Sequence, residues 1–418
     1  MTLTDNVIKP SDGGRFGNSA AGSDKDKSGQ GLTRLQRVEI RLEEPFSIAI
    51  DAAQNAFNVI LCPIIFIVII IKSTIQTSQT NNFFPNHIQI PKISTMGSMP
   101  EVKKAPHIDL AGLVPAPVTP FNRDGSVDYA AIQRLGSWLG SIPGVKGLVV
   151  LGHAGEGTFL TQEEQVEVIK AFVKSVDNKI PIIAGITTEG TEVAALEAQR
   201  AKAAGAQAGL LYPSHGWLRF GYQPGAPQDR YRTVYEKSGL PLILFQYPDN
   251  TKATYNLETL LDIAAQPGVI AMKNGVRNMR RWDVEIPIIK KQNPDLTILT
   301  CHDEYLLHTC FDVDGMLVGY GNIAPEPLLE MIEAGKARDY PRARAIHDRL
   351  LPVTRNVYHR GSHMEGTVAL KHGLVARGIL EHATVRSGLL PLQDGAEQEI
   401  HAAFKSASLG KVTPPKSG

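Results

Sequence analysis

The sequence predicts a (β/α)8 barrel with a C-terminal helical extension. From Asp109 onward, short apolar runs alternate with longer amphipathic ones, and eight of the short runs fall within about 210 residues. The first run leads into Ala116-Pro117-Val118-Thr119-Pro120, whereas a doubly wound nucleotide-binding sheet needs a glycine turn at that point. The predicted strands are 112–118, 147–152, 181–186, 208–212, 241–247, 269–273, 297–300 and 316–319. Helices 163–176 and 191–204 lie between them. The second carries Val193, Ala194, Leu196, Ala198 and Ala201 on its apolar side and stops at Ala204-Gly205, a C-cap signal. After the last strand come helical stretches at 327–334, 341–358 and 367–378, more than a barrel needs to close. The expected organisation is therefore an extension at 1–107, a barrel at 108–324, helices at 325–405 and a flexible tail at 406–418.

Composition narrows the function. The chain has 418 residues, 43% apolar and 20% charged, with a net charge of +1. It has no basic stripe, so nucleic acid is not an expected partner. Three cysteines, Cys62, Cys301 and Cys310, are too few for a disulfide framework, and the twelve histidines form no ligand-spaced motif. No metal and no other cofactor are expected, and the reading is a cytoplasmic protein. Residues 1–33 are rich in Ser, Gly, Asp and Lys, and 72–107 read as a linker. Between them, 52–71 is an uncharged stretch of twenty residues broken by Pro63. It reads as a membrane tether, or else as an interfacial or buried helix.

Barrels carry their reactive groups on the loops after the strands. Strand six ends at Lys273, in Val269-Ile270-Ala271-Met272-Lys273-Asn274. An amine in apolar surroundings suits Schiff-base chemistry with a keto acid. Strand two ends in Gly152-His153-Ala154-Gly155-Glu156-Gly157, whose backbone N–H groups can hold a carboxylate. A carboxylate holder opposite an amine is what a 2-keto acid requires.

Several motifs, in this order and spacing, extend the pattern over two thirds of the chain. Pro115-Ala116-Pro117-Val118-Thr119-Pro120-Phe121 is backed by Asp124-Gly125-Ser126-Val127-Asp128. Gly152-His153-Ala154-Gly155-Glu156 is followed by Leu160-Thr161 and Glu163-Glu164, then Pro181-Ile182-Ile183-Ala184-Gly185. Last come Ala204-Gly205-Ala206, Pro241-Leu242-Ile243-Leu244-Phe245-Gln246-Tyr247-Pro248, and Lys273. Through these, residues 111–392 resemble the dihydrodipicolinate synthase and N-acetylneuraminate lyase superfamily of pyruvate-dependent class I aldolases. The resemblance implies an imine between Lys273 and pyruvate or a pyruvate-containing substrate, chemistry at C3, no cofactor, and a homotetramer or dimer.

The chain departs from that pattern at several positions. His153 and Ala154 replace two hydroxylated residues; His153 either stands in as a donor or acid–base group, or merely packs the turn. Phe245 and Gln246 replace a catalytic tyrosine and an asparagine. Tyr247, two residues on and on the same face, either supplies the missing phenol or packs. Asn250 stands where the synthases carry a carboxylate-binding arginine, which argues against lysine biosynthesis. Trp217 and Arg219, in the loop after strand four, read as specificity residues at the rim or as subunit contacts. After strand seven, His302 replaces a glycine and is expected to narrow the pocket. The candidate substrate-binding set is thus Ala154, Gly155, Glu156, Phe245, Asn250, Trp217, Arg219, His302 and Leu317, around catalytic Lys273, Tyr247 and His153. The expected function is a Schiff-base lyase or aldolase acting on pyruvate or a 2-keto-3-deoxy acid, with dehydration of such an acid as an alternative to cleavage. The alternatives are a 4-hydroxy-tetrahydrodipicolinate synthase-like enzyme and a catalytically silent keto-acid-binding barrel.

Overall fold

The structure, a computed structural model, describes residues 103–414. The expectations for residues 1–102, including the apolar stretch at 52–71, lie outside the described residues. Among the described residues, no helix is long and apolar enough to cross a membrane.

Eight parallel strands form the sheet: β1 (Leu113–Pro115), β2 (Leu148–Val150), β3 (Ile182–Ile186), β4 (Ala208–Leu211), β5 (Leu242–Gln246), β6 (Val269–Asn274), β7 (Thr297–Thr300) and β8 (Gly315–Val318). Their order is β1-β8-β7-β6-β5-β4-β3-β2. A parallel bridge between Leu113 and Val145 brings the two ends together, with Lys146 N–H donating to Leu113 O at 2.8 Å. All eight predicted strands are present. The observed ones are mostly shorter, because the predicted runs include apolar residues that continue into the loops without pairing.

Alternation along each strand divides the apolar residues into two sets. Leu113, Leu148, Ile182, Leu211, Leu242, Met272, Ile298 and Met316 point outward to the helices. Val114, Val149, Ile183, Leu210, Ile243, Ala271, Leu299 and Leu317 fill the barrel interior, with Leu110 among them. The inward parity continues upward into Tyr212, Phe245, Tyr247 and Cys301. Lys273 has the same parity as Ala271 and is paired in register with Phe245 and Leu299. The sheet geometry thus turns a strand-end lysine into the barrel.

The helices start at recognisable caps. Helix α1 (Tyr129–Gly140) begins under the Asp128 side chain, and α2 (Gln162–Val176) under a capping box of Thr161 with Glu164. Helix α3 (Thr191–Ala203) ends at Gly205, whose φ of +106° suits a residue without Cβ. The chain continues through α4 (His215–Phe220), α5 (Ala226–Ser238), α6 (Leu257–Ala264), α7 (Met279–Gln292) and α8 (Leu306–Thr309). The expected C-terminal helices are α9 (Pro325–Lys336), α10 (Tyr340–Val357) and α11 (His363–Ala376), followed by α12 (Ala396–Ser406). Part of the expected flexible tail is pinned instead. Leu409 is buried, Arg377 donates to Gly410 O at 2.8 Å, and Val412 N–H donates to Arg377 O at 2.9 Å.

Candidate active site

A cavity of about 350 Å³ opens at the C-terminal ends of the strands. Lys273, His153, Ala154, Phe245 and Tyr247 all line it, so the core of the predicted set is brought together. The Lys273 side chain is buried, and its Nζ lies 4.2 Å from the centre of the Phe245 ring.

The turn after β2 is held in an unusual conformation. Leu151 and Glu156 both adopt left-handed backbone, at φ of 61° and 51°, a region that costs energy for residues with a Cβ. Gly155 is needed on steric grounds, since a Cβ there would meet Leu151 N at 2.9 Å and Pro117 O at 3.1 Å. Thr119 Oγ1 donates to Gly155 O at 2.6 Å, and Glu156 N–H donates to His153 O at 3.1 Å. The N–H groups of Ala154 and Gly155 donate to no protein group among the described residues; Ala154 lines the cavity and its N–H is left for an anion, whereas Gly155, expected in the site, is buried outside the lining.

Glu156 itself does not face the cavity, contrary to the sequence expectation. It is fully buried, forms an ion pair with Lys371 of α11, and accepts Arg386 N–H at 3.1 Å. Arg386 also clasps Glu164 through two guanidinium nitrogens, at 2.6 and 2.8 Å. The C-terminal extension therefore anchors the turn that would hold a carboxylate. Glu156 supports the site without lining it.

His153 is open to the cavity on one side. Its Nε2 lies 3.4 Å from Tyr247 Oη, a long contact whose donor depends on the imidazole tautomer. The surrounding protein and the nearby Lys273 charge lower its pKa, so the ring is neutral at pH 7. Burial raises the Tyr247 phenol well above its ordinary value. The two groups form a neutral, proton-bearing pair beside the lysine.

Five other expected site residues lie elsewhere. His302 does not narrow the pocket: it is fully buried, packs edge-on against Trp282, and accepts Arg277 N–H at 2.9 Å. Cys301 and Asp303 line the cavity on either side of it, as alternation requires. Asn250 is exposed and outside the cavity lining. Trp217 packs on Tyr222 at 5.6 Å, Arg219 is exposed over Phe220, and Leu218 is the residue of that loop that lines the cavity. Leu317 sits in the barrel interior, in register with Val114 and below the cavity.

The structure adds Tyr212, Arg277, Asp303 and Tyr358 to the lining. Arg277 has left-handed backbone at φ 52°, and Glu304 pairs with it through Nε at 2.8 Å and Nη2 at 3.2 Å. Asp303 Oδ1 accepts Tyr320 N–H at 2.8 Å, and burial together with Glu304 raises its pKa. Tyr212 and Asp303 share the inward parity of Leu210 and Cys301, a signal that sequence reading could have used. Nothing in the sequence marks Arg277 or Tyr358, because one depends on a left-handed loop residue and the other on how α10 docks. Among the described residues, no group of three or more His, Cys, Asp or Glu side chains could hold a metal ion.

Comparison with known proteins decides the family. Residues 109–407 match the model of the Dihydrodipicolinate synthetase family. The chain belongs to that family. It is 30% identical over 306 residues to 4-hydroxy-tetrahydrodipicolinate synthase of Neisseria meningitidis serogroup C, covering 71% of this chain and 99% of the relative. The corresponding enzyme of Haloarcula marismortui is 30% identical over 291 residues, with coverage of 69% and 90%. Among solved structures, dihydrodipicolinate synthase from Aquifex aeolicus is 25% identical with a TM-score of 0.63, covering 73% of this chain and 99% of that one. The chloride-inhibited Acinetobacter baumannii enzyme complexed with pyruvate shares the fold at 24% identity and a TM-score of 0.64, covering 72% and 100%. Identities at this level mark a divergent member. The family places this chain among the pyruvate-utilising class I lyases, which act on a 2-keto acid through a lysine imine without a cofactor.

Proposed function

We propose that Lys273 forms the imine, and that the enzyme cleaves or dehydrates a 2-keto-3-deoxy acid. The observation that carries this reading is the pairing of one buried, cavity-lining lysine with the cavity-lining turn of His153 and Ala154, where the Ala154 N–H donates to no protein group among the described residues. The turn at Ala154 holds the carboxylate of the substrate, and Lys273 condenses with its keto carbon. The iminium then draws electrons from C3, so that either the C3–C4 bond breaks or a C4 hydroxyl leaves as water. Tyr247 and His153 move the protons at C3 and at the C4 oxygen. The small cavity and its two neutral groups suit a polar, hydroxylated tail.

The names of the relatives favour a second reading, condensation of the 4-hydroxy-tetrahydrodipicolinate synthase type. Against it, Asn250 offers no guanidinium and lies outside the cavity lining. A silent keto-acid-binding barrel is a third reading, and its warrant is Phe245. The test is incubation with a panel of 2-keto-3-deoxy acids, scoring release of pyruvate against loss of water by mass. Turnover of at least one is expected. Robust condensation of pyruvate with aspartate semialdehyde would contradict the proposal, and keto-acid binding without any turnover would favour the silent barrel.

The same reading includes a homodimer or tetramer in the cytoplasm. Phe220 and Leu390 support it, with relative exposures of 76% and 80% on the single chain. Trp217 and Tyr222 pack within their own loop and add little to such an interface. Sedimentation of the full chain at micromolar concentration checks the assembly, and a monomer would contradict it.

A further inference from the structure

Two cavity phenols, Tyr212 and Tyr358, have no task in the chemistry assigned so far, and Tyr212 is the one beside the turn after β2. Tyr212 follows β4 and meets the Phe245 ring edge-on at 5.1 Å and the His153 ring edge-on at 4.8 Å. Its Oη accepts the backbone N–H of His153 at 3.2 Å. Its own proton is donated to no protein group among the described residues. Gly152 makes the room, since a Cβ at that position would lie 2.8 Å from the Tyr212 oxygen. Only 1% of the residue is exposed, yet it lines the cavity, so a partner for its O–H must come from what the cavity holds. The hydroxyl is anchored on His153, next to the Ala154 and Gly155 N–H groups. A keto acid whose carboxylate sits on that turn carries its keto oxygen on the next carbon, in the cavity that Tyr212 also lines.

We propose that Tyr212 carries the protons of imine formation, the task that Phe245 cannot perform. The proposal rests on the reading of Lys273 as the imine lysine. The neutral amine of Lys273 bonds to C2 while the keto oxygen takes the Tyr212 proton. The nitrogen then returns a proton to the phenolate, which leaves a neutral carbinolamine. A second protonation by Tyr212 breaks the C2–O bond, water departs, and the nitrogen lone pair completes the iminium. Solvent water delivered through the cavity restores the phenol, so the step consumes one proton and releases one water. Burial keeps the Tyr212 phenol protonated before reaction. Tyr247 and His153 remain free to act at C3 and at the C4 oxygen. The missing phenol of β5 is thus supplied by the adjacent strand.

The experiment is single-turnover borohydride trapping of pyruvate on the full-length enzyme, followed by intact mass across a range of pyruvate concentrations. Tyr212→Phe is expected to lower the maximal trapping rate by about 100-fold, with half-saturating pyruvate changed by less than about three-fold. Adding Phe245→Tyr to that variant restores a phenol beside Lys273 and is expected to recover at least a tenth of the wild-type rate. A maximal rate within about three-fold of wild type overturns the proposal, as does a loss confined to half-saturation, which would mark a role in holding the turn alone. A fall that Phe245→Tyr does not recover also counts against it. Absence of any adduct in the wild type would remove the Lys273 reading and this one together, whereas a wild-type adduct formed equally fast by Tyr212→Phe removes this one only.

Discussion

His153 and His302 both follow an inward-facing strand, β2 in one case and β7 in the other, and the fold uses them in opposite ways. His302 has both ring nitrogens engaged: Nε2 accepts Arg277 N–H at 2.9 Å and Nδ1 lies 3.0 Å from Thr300 Oγ1. Its ring is closed off by Trp282. His153 has one long contact with Tyr247 and an open side facing the cavity. A histidine whose nitrogens are both occupied is part of the core, while one with a nitrogen to spare can move a proton. Residue type and position after a strand did not separate the two; their partners do.

The comparison predicts a pH-dependent stability to which His302 contributes. Burial, with Arg277 adding to it, lowers its pKa from 6.5 to about 4 in the folded protein. Between these values the unfolded chain takes up a proton that the native state refuses, so stability falls as pH drops through this window and is fully present above 6.5. The contribution reaches about 3 kcal/mol. Denaturation of His302→Leu from pH 4.5 to 7.5 should show a flatter dependence than wild type. It should also cost about 2 kcal/mol at pH 7 from the unpaired Arg277 N–H. An unchanged slope would show that His302 is not the buried group described.

His153→Gln should do the reverse. Exchange of pyruvate C3 protons in deuterated water, followed by NMR, is expected to fall by about 30- to 100-fold, equivalent to about 2–2.7 kcal/mol. Stability should change by less than about 1 kcal/mol, since one side of the ring packs against nothing. Full exchange activity in this variant would reduce His153 to a packing residue and erase the contrast. The smallest effects are expected at the displaced candidates. Asn250→Ala and Arg219→Ala should leave the same exchange rate within about two-fold and stability within about 0.5 kcal/mol. A large loss at either would show that the loops close over the cavity during turnover.

Period-two alternation made much of this legible. The eight strands, the inward lysine and the inward Tyr247 all follow from it, and so, had parity been carried one step further, would Tyr212 and Asp303. The same rule should have turned His302 away from the pocket, since Cys301 before it faces inward. What the sequence did not show depends on contacts distant along the chain. Glu156 is drawn out of the site by Lys371 and Arg386, more than two hundred residues away. Arg277 reaches the cavity through a backbone conformation that its residue type does not announce. Leu317 was misplaced in height, with the right parity but one layer too low. The family's pattern puts the phenol on β5, whereas Tyr212, the phenol proposed to replace it, follows β4.

The central claim is that Lys273 is the amine on which keto-acid chemistry occurs. Full-length enzyme should be incubated with pyruvate, reduced with borohydride, digested and mapped by mass spectrometry. The account predicts one reduced pyruvate adduct, located on Lys273, and none in Lys273→Ala, which should melt close to wild type because loss of a side chain lining a cavity leaves no large void in the core. An adduct on another lysine, or the absence of any adduct with pyruvate and with every 2-keto-3-deoxy acid offered, would contradict it.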